Sequence, residues 1–322
     1  MTIRPNAHPF RRAIAAAGLV AATGAGILAA LPGAAQAGTL PSTSSSAIWQ
    51  FSTHDDPADP TFNQLLGVND HGTIAGYFGS GTPAAIHPNK GYTLKIRKGA
   101  NVYKNENFPG SAQTQVTAIN DHGVTVGFYV DASGNTFGFV KHGGRYTTVA
   151  NPASPDNNQL LGVNNEGMAV GVYIDAAGNT HGYRYNLRTK HFTPVSVNIP
   201  GAVSVQATGI NDRGDISGFV VDAAGDQTAF LLTRHHLTTI EATGSSMTQA
   251  FGINDRDQVV GQYIDGAQVT HGFVWSDGHL TTVDNPNANG MTTVNGLNNR
   301  GEIVGFYLDA AGNTDGFVAV TS

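Results

Sequence analysis

The chain has 322 residues, with 17 Lys and Arg against 23 Asp and Glu, so its formal net charge is −6. Because it contains no Cys, disulfides, thiolate metal sites and a lipid-bearing N-terminal cysteine are excluded. The acidic balance, together with the lack of a basic cluster along the chain, predicts no nucleic-acid partner.

The first 37 residues have the pattern of a secretory signal. Three Arg lie within the first 12 residues, residues 13–31 are uncharged, and Ala35-Gln36-Ala37 is a site that a signal peptidase accepts. We predict cleavage after Ala37, a flexible segment over 38–46 and a secreted or periplasmic bacterial protein; the alternative is an uncleaved N-terminal anchor. After cleavage, 14 Lys and Arg remain against 23 Asp and Glu, and no second apolar run predicts a membrane segment.

The rest of the chain repeats one sequence unit six times. The unit begins with Asn followed by Asp or Asn, continues through a β-branched stretch that holds a Gly, and reaches a turn of the type Asp-Ala-Ala-Gly-Asn-Thr. Its first Asn recurs at intervals of 43 to 51 residues, at Asn69, Asn120, Asn164, Asn211, Asn254 and Asn298.

Each unit predicts four short strands joined by tight turns. Four short antiparallel strands per repeat is the pattern of a β-propeller blade. We therefore predict a single all-β domain over residues 47–322, a six-bladed β-propeller with four-stranded blades. A linear β-solenoid is the alternative.

The two ends of the domain are predicted to complete each other. The last copy stops after its third strand, whereas residues 47–57 supply a strand that belongs to no copy. We predict that residues 47–53 complete the last blade beside residues 313–320, which removes a free sheet edge. A solenoid would not need this strand. We expect the closed protein to be a monomer.

Units such as GVNNEGMAVGVYIDAAGNTHGY (162–183) resemble the bacterial extracellular HAF repeat, which is named after a His-Ala-Phe tripeptide. The tripeptide is His181-Gly182-Tyr183 in this unit and His271-Gly272-Phe273 in a later one, while other copies replace the His. The resemblance covers residues 67–317. It implies an exported protein with propeller-type repeats, and it brings no catalytic residues to this chain.

The repeated Asn residues allow two interpretations. They could form a polar ring around a central channel, or they could satisfy backbone donors in a turn that every copy needs, and we favour the turn. The Gly seven residues after each Asn is interpreted as strand packing, because it lacks the helix start and Lys of a phosphate loop. The Asp-Ala-Ala-Gly turns lack the alternating carboxylates of a calcium loop, so no cofactor is predicted and calcium is the one metal kept open.

A functional site is expected where the repeat is most irregular. The connection HDDPADP (54–60) and the insertion GSGTPAAIHPNKG (79–91) both flank the first full blade. We predict that they gather a candidate site for a divalent cation, a sugar or an acid/base pair. Its residues are His54, Asp55, Asp56, Asp59, His87 and Lys90. The alternative is a solvated acidic loop.

The sequence favours a non-catalytic binding module for a glycan or an extracellular protein, because the units share a structural pattern and no catalytic motif. The alternative is a metal-dependent hydrolase, lactonase or lyase with its site at the mouth of the channel. A structural surface component is a third hypothesis.

Overall fold

The computed structural model describes residues 49–79, 88–98, 100–245 and 247–321. Within these residues lie 24 β-strands, and β1 (Trp49–Thr53) comes first. Unit 1 contains β2–β5: Asn63–Val68, Thr73–Phe78, Lys90–Lys95 and Val102–Asn105. Unit 2 contains β6–β9: Gln113–Ile119, Thr125–Val130, Thr136–His142 and Arg145–Val149. Unit 3 contains β10–β13: Asn158–Val163, Met168–Ile174, Thr180–Asn186 and Phe192–Pro194.

The remaining strands follow the same plan. Unit 4 contains β14–β17: Ala202–Ile210, Ile216–Asp222, Gln227–Leu232 and Leu237–Ile240. Unit 5 contains β18–β21: Met247–Ile253, Val259–Ile264, Thr270–Ser276 and His279–Val283. Unit 6 contains β22–β24: Thr292–Leu297, Ile303–Leu308 and Thr314–Thr321.

Within every unit the strands pair antiparallel in chain order, which gives an all-β propeller arrangement of four-stranded sheets. The sequence predicts six separate four-stranded sheets, but the hydrogen bonding gives five sheets among the described residues. Units 4 and 5 share one eight-stranded sheet, in which β16 and β18 are joined by a single parallel pair, Gln227 and Met247. The described residues all belong to one compact unit, Thr43–Ser322. No helix in the described part of the chain is long and apolar enough to cross a membrane.

The strand β1 completes unit 6, as the sequence predicts. It runs antiparallel to β24, with Trp49 opposite Thr321 and Thr53 opposite Phe317. The ring of Phe51 meets that of Phe317 edge-on, with 5.3 Å between the ring centroids. Residues from the two ends of the chain therefore form one sheet, and the outer edge of β24 is covered.

The turn after the first strand of each unit has the backbone shape that its sequence predicts. The third residue after each Asn lies in the left-handed region, where Gly has no steric cost. Five units use Gly there, as at Gly72 (φ 68°), and the fifth uses Asp257 (φ 57°). Asp tolerates this conformation better than most side chains do, so the fifth unit keeps the turn without a Gly.

The Gly in the second strand of each unit allows close packing, as predicted. A Cβ added to Gly127 would lie 2.0 Å from the carbonyl oxygen of Gln115 and 3.0 Å from the ring of Phe139. Gly261 has the same relation to Gln249 and Phe273, at 1.9 and 2.8 Å. These positions admit no side chain, because the neighbouring strand and an aromatic ring already fill the space.

Apolar clusters between consecutive units form the core. Five of the six clusters contain six to eight buried residues, whereas the cluster between units 1 and 2 contains four, namely Ala75, Val116, Ile119 and Phe139. The interface between units 1 and 2 therefore has the smallest cluster of buried apolar residues among the described residues, and a cavity lies there.

Candidate functional site

The predicted acidic loop uses its carboxylates mainly for local structure. Asp56 accepts from the backbone N–H of Ala58 at 2.9 Å, and Asp59 accepts from the hydroxyl of Thr61 at 2.7 Å. Asp55 accepts from the N–H of Gly316 at 3.0 Å and so ties the loop to β24. These contacts are typical of Asp in turns and connections.

Burial raises the pKa of Asp55 to about 6; the Gly316 hydrogen bond opposes the shift, and the carboxylates of Asp315 and Asp309 add to it. His54 bonds through its two ring nitrogens to the Ser52 hydroxyl at 2.9 Å and to the Asn101 side chain at 3.0 Å. Partial burial lowers the pKa of this His. Both titratable groups are therefore already engaged by neighbouring strands.

The remaining members of the predicted site are not seen together with these acids. Lys90 is the first residue of β4 and lies opposite Phe78 of the neighbouring strand β3. Among the described residues, no ion pair joins Lys90 to Asp55 or Asp56. His87 lies outside the described residues. The joint site stays a prediction.

The six repeated Asn residues serve the turns, as the favoured interpretation has it, and they also form the ring that was the other interpretation. The side-chain oxygen of Asn164 accepts from the N–H of Met168 at 2.9 Å, which closes its own turn. Its side-chain amide donates to the backbone carbonyl of Asn211 in the next unit, also at 2.9 Å. The same contact recurs in every unit at 2.9–3.2 Å, from Asn69, Asn120, Asn164, Asn211, Asn254 and Asn298. The ring is closed because Asn298 donates to Asn69.

The next residue of each unit forms a second closed ring at the mouth of the channel. Each side-chain oxygen accepts from the backbone N–H of the preceding unit at 2.7–2.8 Å. The members are Asp70, Asp121, Asn165, Asp212, Asp255 and Asn299. The amide of Asn165 also donates to Asp121 and Asp212, and that of Asn299 donates to Asp70 and Asp255. The four carboxylates are thus held by backbone and amide donors.

The mouth of the channel is a small polar cup of about 70 Å³. Below the two rings lie six apolar side chains: Val68, Ile119, Val163, Ile210, Ile253 and Leu297. Within the described part of the chain, no group of three or more His, Asp and Glu side chains lies close enough to share a metal ion. The hydrogen bonds of the two rings therefore connect each unit to the next.

The carboxylates of the Asp-Ala-Ala-Gly turns also accept hydrogen bonds from nearby groups. Asp175 accepts from the backbone N–H groups of Ala177 and Asn179, both at 2.9 Å, and contacts the His181 ring at 2.8 Å. The His181 contact and these backbone bonds lower the pKa of Asp175 to about 2. His181 stacks on Tyr173 with 4.9 Å between the ring centroids, so it packs against the sheet.

A cleft of about 710 Å³ lies between units 1 and 2 and is here called the first cleft. It is lined by the Asn turns of both units and by strands β3–β5, β7 and β8. In an antiparallel meander, the turn after the first strand and the turn after the third strand lie at the same end of the sheet. The first cleft therefore opens at the end opposite to the connection that carries Asp55 and Asp59.

A buried ion pair lies in the first cleft. Glu106 and Lys141 contact each other and are 2% and 7% exposed. The other carboxylate oxygen of Glu106 accepts from Lys104 at 3.2 Å and from the Thr93 hydroxyl at 3.3 Å. The ammonium group of Lys141 also lies 5.1 Å from the centre of the Tyr146 ring, within the range of a cation–π contact.

These charges replace apolar residues of the repeat. The backbone N–H of Glu106 bonds to the carbonyl of Gly91, at the place where the other units pair the third and fourth strands. Four of those units have a buried aliphatic residue in this place: Val149, Val195, Ile240 and Val283. Unit 6 has His54 there.

The cross-strand pair Thr125–Lys141 breaks the repeat in the same way. The equivalent pairs of the other units are all apolar or aromatic: Ile74–Leu94, Ala169–Tyr185, Ile216–Leu232, Val259–Trp275 and Ile303–Ala319. The side-chain hydroxyl of Thr125 is buried, lines the first cleft and has no hydrogen-bond partner among the described residues. Buried polar groups are normally paired, so this hydroxyl is an unsatisfied polar group in the wall of the cleft.

Sequence reasoning missed Glu106, Thr125 and Lys141 because it searched the loops for breaks in the repeat. A strand-by-strand alignment of the six units would have found all three, since each stands where the other copies are mostly apolar. The fold also corrects the statement that the chain has no basic cluster, because it places the basic hairpins β4–β5 and β8–β9 on the two sides of the first cleft.

No protein-family model and no curated protein sequence matches the chain. Among solved structures, the chain is similar to a protein from Agrobacterium tumefaciens assigned as TolB, with 11% identity, 80% of this chain and 90% of that chain covered, and a TM-score of 0.56. It is also similar to SapL1 lectin, solved in complex with alpha methyl fucoside, with 11% identity, 77% and 88% covered, and a TM-score of 0.51. A prolyl endopeptidase is also similar, with 11% identity and a TM-score of 0.46. The match covers 81% of this chain and 40% of the endopeptidase. At these identities, the likeness to the first two structures shows the β-propeller fold.

Proposed function

We propose that this protein is a secreted, non-catalytic binding module that holds a glycan in the first cleft. The observation that carries the proposal is the replacement of apolar repeat residues by Glu106, Thr125 and Lys141 at one interface between units. A repeat fold needs the same packing at each interface, so a local departure of this kind requires a separate reason.

Stability does not supply that reason. Taking a carboxylate and an ammonium group out of water costs several kcal/mol per ion, and apolar residues of similar size are often as stabilising or more so. The Thr125 hydroxyl, with no protein partner, adds a further cost. Glu106 and Lys141 are therefore better explained by a ligand that uses the cleft.

A glycan fits the cleft better than a protein partner does. The cleft is concave, its volume of about 710 Å³ lies in the range of small-ligand sites, and its floor combines hydroxyl and charged groups. Saccharide hydroxyl groups both donate and accept, as the Thr125 and Thr93 hydroxyls do. The likeness to SapL1 lectin, whose structure contains alpha methyl fucoside, supports the same ligand class.

The enzyme hypothesis gains no specific support. It places a metal at the channel mouth, where the four carboxylates accept from backbone and amide donors. The described residues offer no set of three His, Asp and Glu ligands there. We therefore adopt the binding module and not the metal-dependent hydrolase, lactonase or lyase.

We also infer that the propeller has six blades. The six-membered Asn ring supports this count, since each unit donates once to the next. Units 4 and 5 each pair four strands internally, and one parallel pair, Gln227 and Met247, joins them. In crystals, a self-rotation function with a pseudo-six-fold axis is the expected result, and another rotational order would contradict the count.

Export and the HAF resemblance belong to the same proposal. The proposed cleavage after Ala37 places the binding module outside the cytoplasm, where polysaccharides are met. Expression of the full chain in a bacterium, followed by mass spectrometry, should give a mature N-terminus at Gly38. An intact residue 1–37 segment in the exported or membrane fraction would contradict cleavage.

The binding test uses residues 38–322 and a panel of polysaccharides in affinity electrophoresis. Thr125→Ile fills the cleft with the residue that units 1, 4 and 6 have in this place. We expect retardation by at least one glycan and its loss in Thr125→Ile. Thr281→Ile, an exposed change in β21, is the matched control and should still be retarded. Equal retardation of both variants would place the binding elsewhere.

A further inference from the structure

Positive charge is concentrated at the first cleft. Of the 14 Lys and Arg that follow residue 37, seven lie on the two hairpins that flank it: Lys90, Lys95, Arg97, Lys98, Lys104, Lys141 and Arg145. The hairpins β4–β5 (Lys90–Asn105) and β8–β9 (Thr136–Val149) contain no Asp or Glu. This concentration occurs in a chain whose overall balance is acidic.

Two carboxylates line the cleft and offset part of this charge. Glu106 is shared by Lys141 and Lys104. Asp121 accepts from the N–H of Asp70 with one oxygen and from the Asn165 amide with the other. Both acids are thus used within the protein.

The remaining cationic groups face solvent. Lys95 lines the cleft, is exposed and makes no ion pair within the described residues. His71, His122 and His142 also line the cleft with ring N–H groups that can donate hydrogen bonds, and His71 lies 3.5 Å from the Asp121 carboxylate. The exposed groups at the rim are therefore almost all donors or cations.

We propose that the first cleft selects a polysaccharide that carries negative charge, an inference that rests on the glycan-binding function proposed above. A uronate carboxylate or a sulfate group accepts hydrogen bonds from ammonium and guanidinium groups, and such charge-assisted bonds are about twice as strong as neutral ones. Neutral sugar hydroxyls next to that group pair with the Thr125 and Thr93 hydroxyls on the floor.

The cleft fits an acidic sugar chain better than a nucleic acid. Single-stranded nucleic acids bind where aromatic rings stack on successive bases. Among the described residues, no Phe, Tyr or Trp side chain lines the first cleft. Tyr103 and Tyr146 of the flanking hairpins pack edge-on against Tyr92 and Phe108, at 5.2 and 5.5 Å.

The test compares four probes on residues 38–322: polygalacturonate, dextran sulfate, neutral dextran and single-stranded DNA. We expect titration calorimetry to show binding of one or both acidic polysaccharides, with an affinity about tenfold weaker after a tenfold increase in salt. Carboxylate and sulfate are distinguished by which of the two binds more tightly. The double variant Lys104→Gln/Arg145→Gln should weaken binding about tenfold.

Arg188→Gln/Lys190→Gln is the charge-matched control, because both residues are exposed on the equivalent hairpin of unit 3. It should bind as the unchanged protein does. Equal loss in both variants, or equal binding of DNA, would overturn the selection of an acidic sugar chain at this cleft. Salt-independent binding of dextran would overturn the charge selection and leave the glycan-binding function standing. Binding of no probe would overturn both.

Discussion

The side-chain amide of Asn298 donates to the main-chain carbonyl of Asn69 at 3.1 Å, across 229 positions of sequence. This hydrogen bond joins the last unit to the first and closes the ring of Asn contacts. A second closure comes from β1, which pairs with β24 and brings Phe51 against Phe317. The fold is thus fastened near the channel and at its outer edge by different contacts.

The Asn ring should contribute more to stability than an Asn in an outer turn. Asn164→Ala removes one buried and one partly buried hydrogen bond; the N–H of Met168 loses its side-chain acceptor, and the carbonyl of Asn211 keeps only the N–H of Gly214. We expect the free energy of unfolding to fall by about 2–4 kcal/mol. Asn313→Ala, which removes a local contact to Asp309, should cost below about 1 kcal/mol. Urea unfolding that gives equal losses would contradict the role of the ring.

The N-terminal strand should be required for closure. Phe51 is half-buried and packs on the fully buried ring of Phe317. Phe51→Ala is expected to lower the free energy of unfolding by about 2 kcal/mol through lost burial and the lost aromatic pair. Ser52→Ala, at the exposed neighbouring position, is the control. Thermal unfolding with the same midpoint for both variants would show that β1 contributes little.

Ionisation of Asp55 should oppose folding. Burial raises its pKa from 3.8 to about 6, so the folded state binds more protons than the unfolded state between these values. The free energy of unfolding therefore falls as the pH rises through this window. Asp55→Asn keeps an acceptor for Gly316 and should stabilise the protein by about 1 kcal/mol near neutral pH, after allowance for solvent screening.

The same Asp55 variant should give no gain below about pH 4, where the carboxyl is protonated in both states. Urea unfolding at several pH values checks this. Asp56→Asn changes the next carboxylate and serves as the control for net charge. A gain of equal size in Asp56→Asn would assign the effect to overall charge and not to the burial of Asp55.

His271 should stabilise the fold more in acid than in base. Partial burial lowers its pKa, but the carboxylates of Asp284 and Asp265, at 2.9 and 3.3 Å, outweigh burial and raise the net value above 6.5. Its contribution is fully present below 6.5 and is lost as the pH rises through the folded value. His271→Gln should therefore cost about 1 kcal/mol near pH 5 and less near pH 9. The exposed His235→Gln is the control, and a pH-independent cost at His271 would contradict the account.

The sequence predicted those parts of the fold that local rules control. The Asn turns, the left-handed position of Asp257 and the close packing at Gly127 each depend on a few neighbouring residues, and the structure confirms them. The pairing of β1 with β24 could be predicted because the last copy lacks one strand. By contrast, the shared sheet of units 4 and 5 depends on one contact, Gln227 to Met247, which has no signal in the repeat.

The site was harder to predict, because its parts come from two units. Glu106 and Lys141 look like ordinary surface charges in the sequence, and only the pairing of their strands shows that they replace core residues. The acidic loop at Asp55 and Asp56 had the stronger sequence signal, since Pro and Asp cluster there. In the structure these carboxylates mostly accept from nearby backbone groups.

The central claim is that Glu106 and Lys141 are kept for a ligand and not for stability. The variant Glu106→Val/Lys141→Leu gives the first cleft the aliphatic residues that the other units have at these places. Calorimetry should show an unfolding free energy that is unchanged or higher by about 1–4 kcal/mol, together with loss of the polysaccharide that the unchanged protein binds. Retention of binding at the original affinity in a folded variant would contradict the claim.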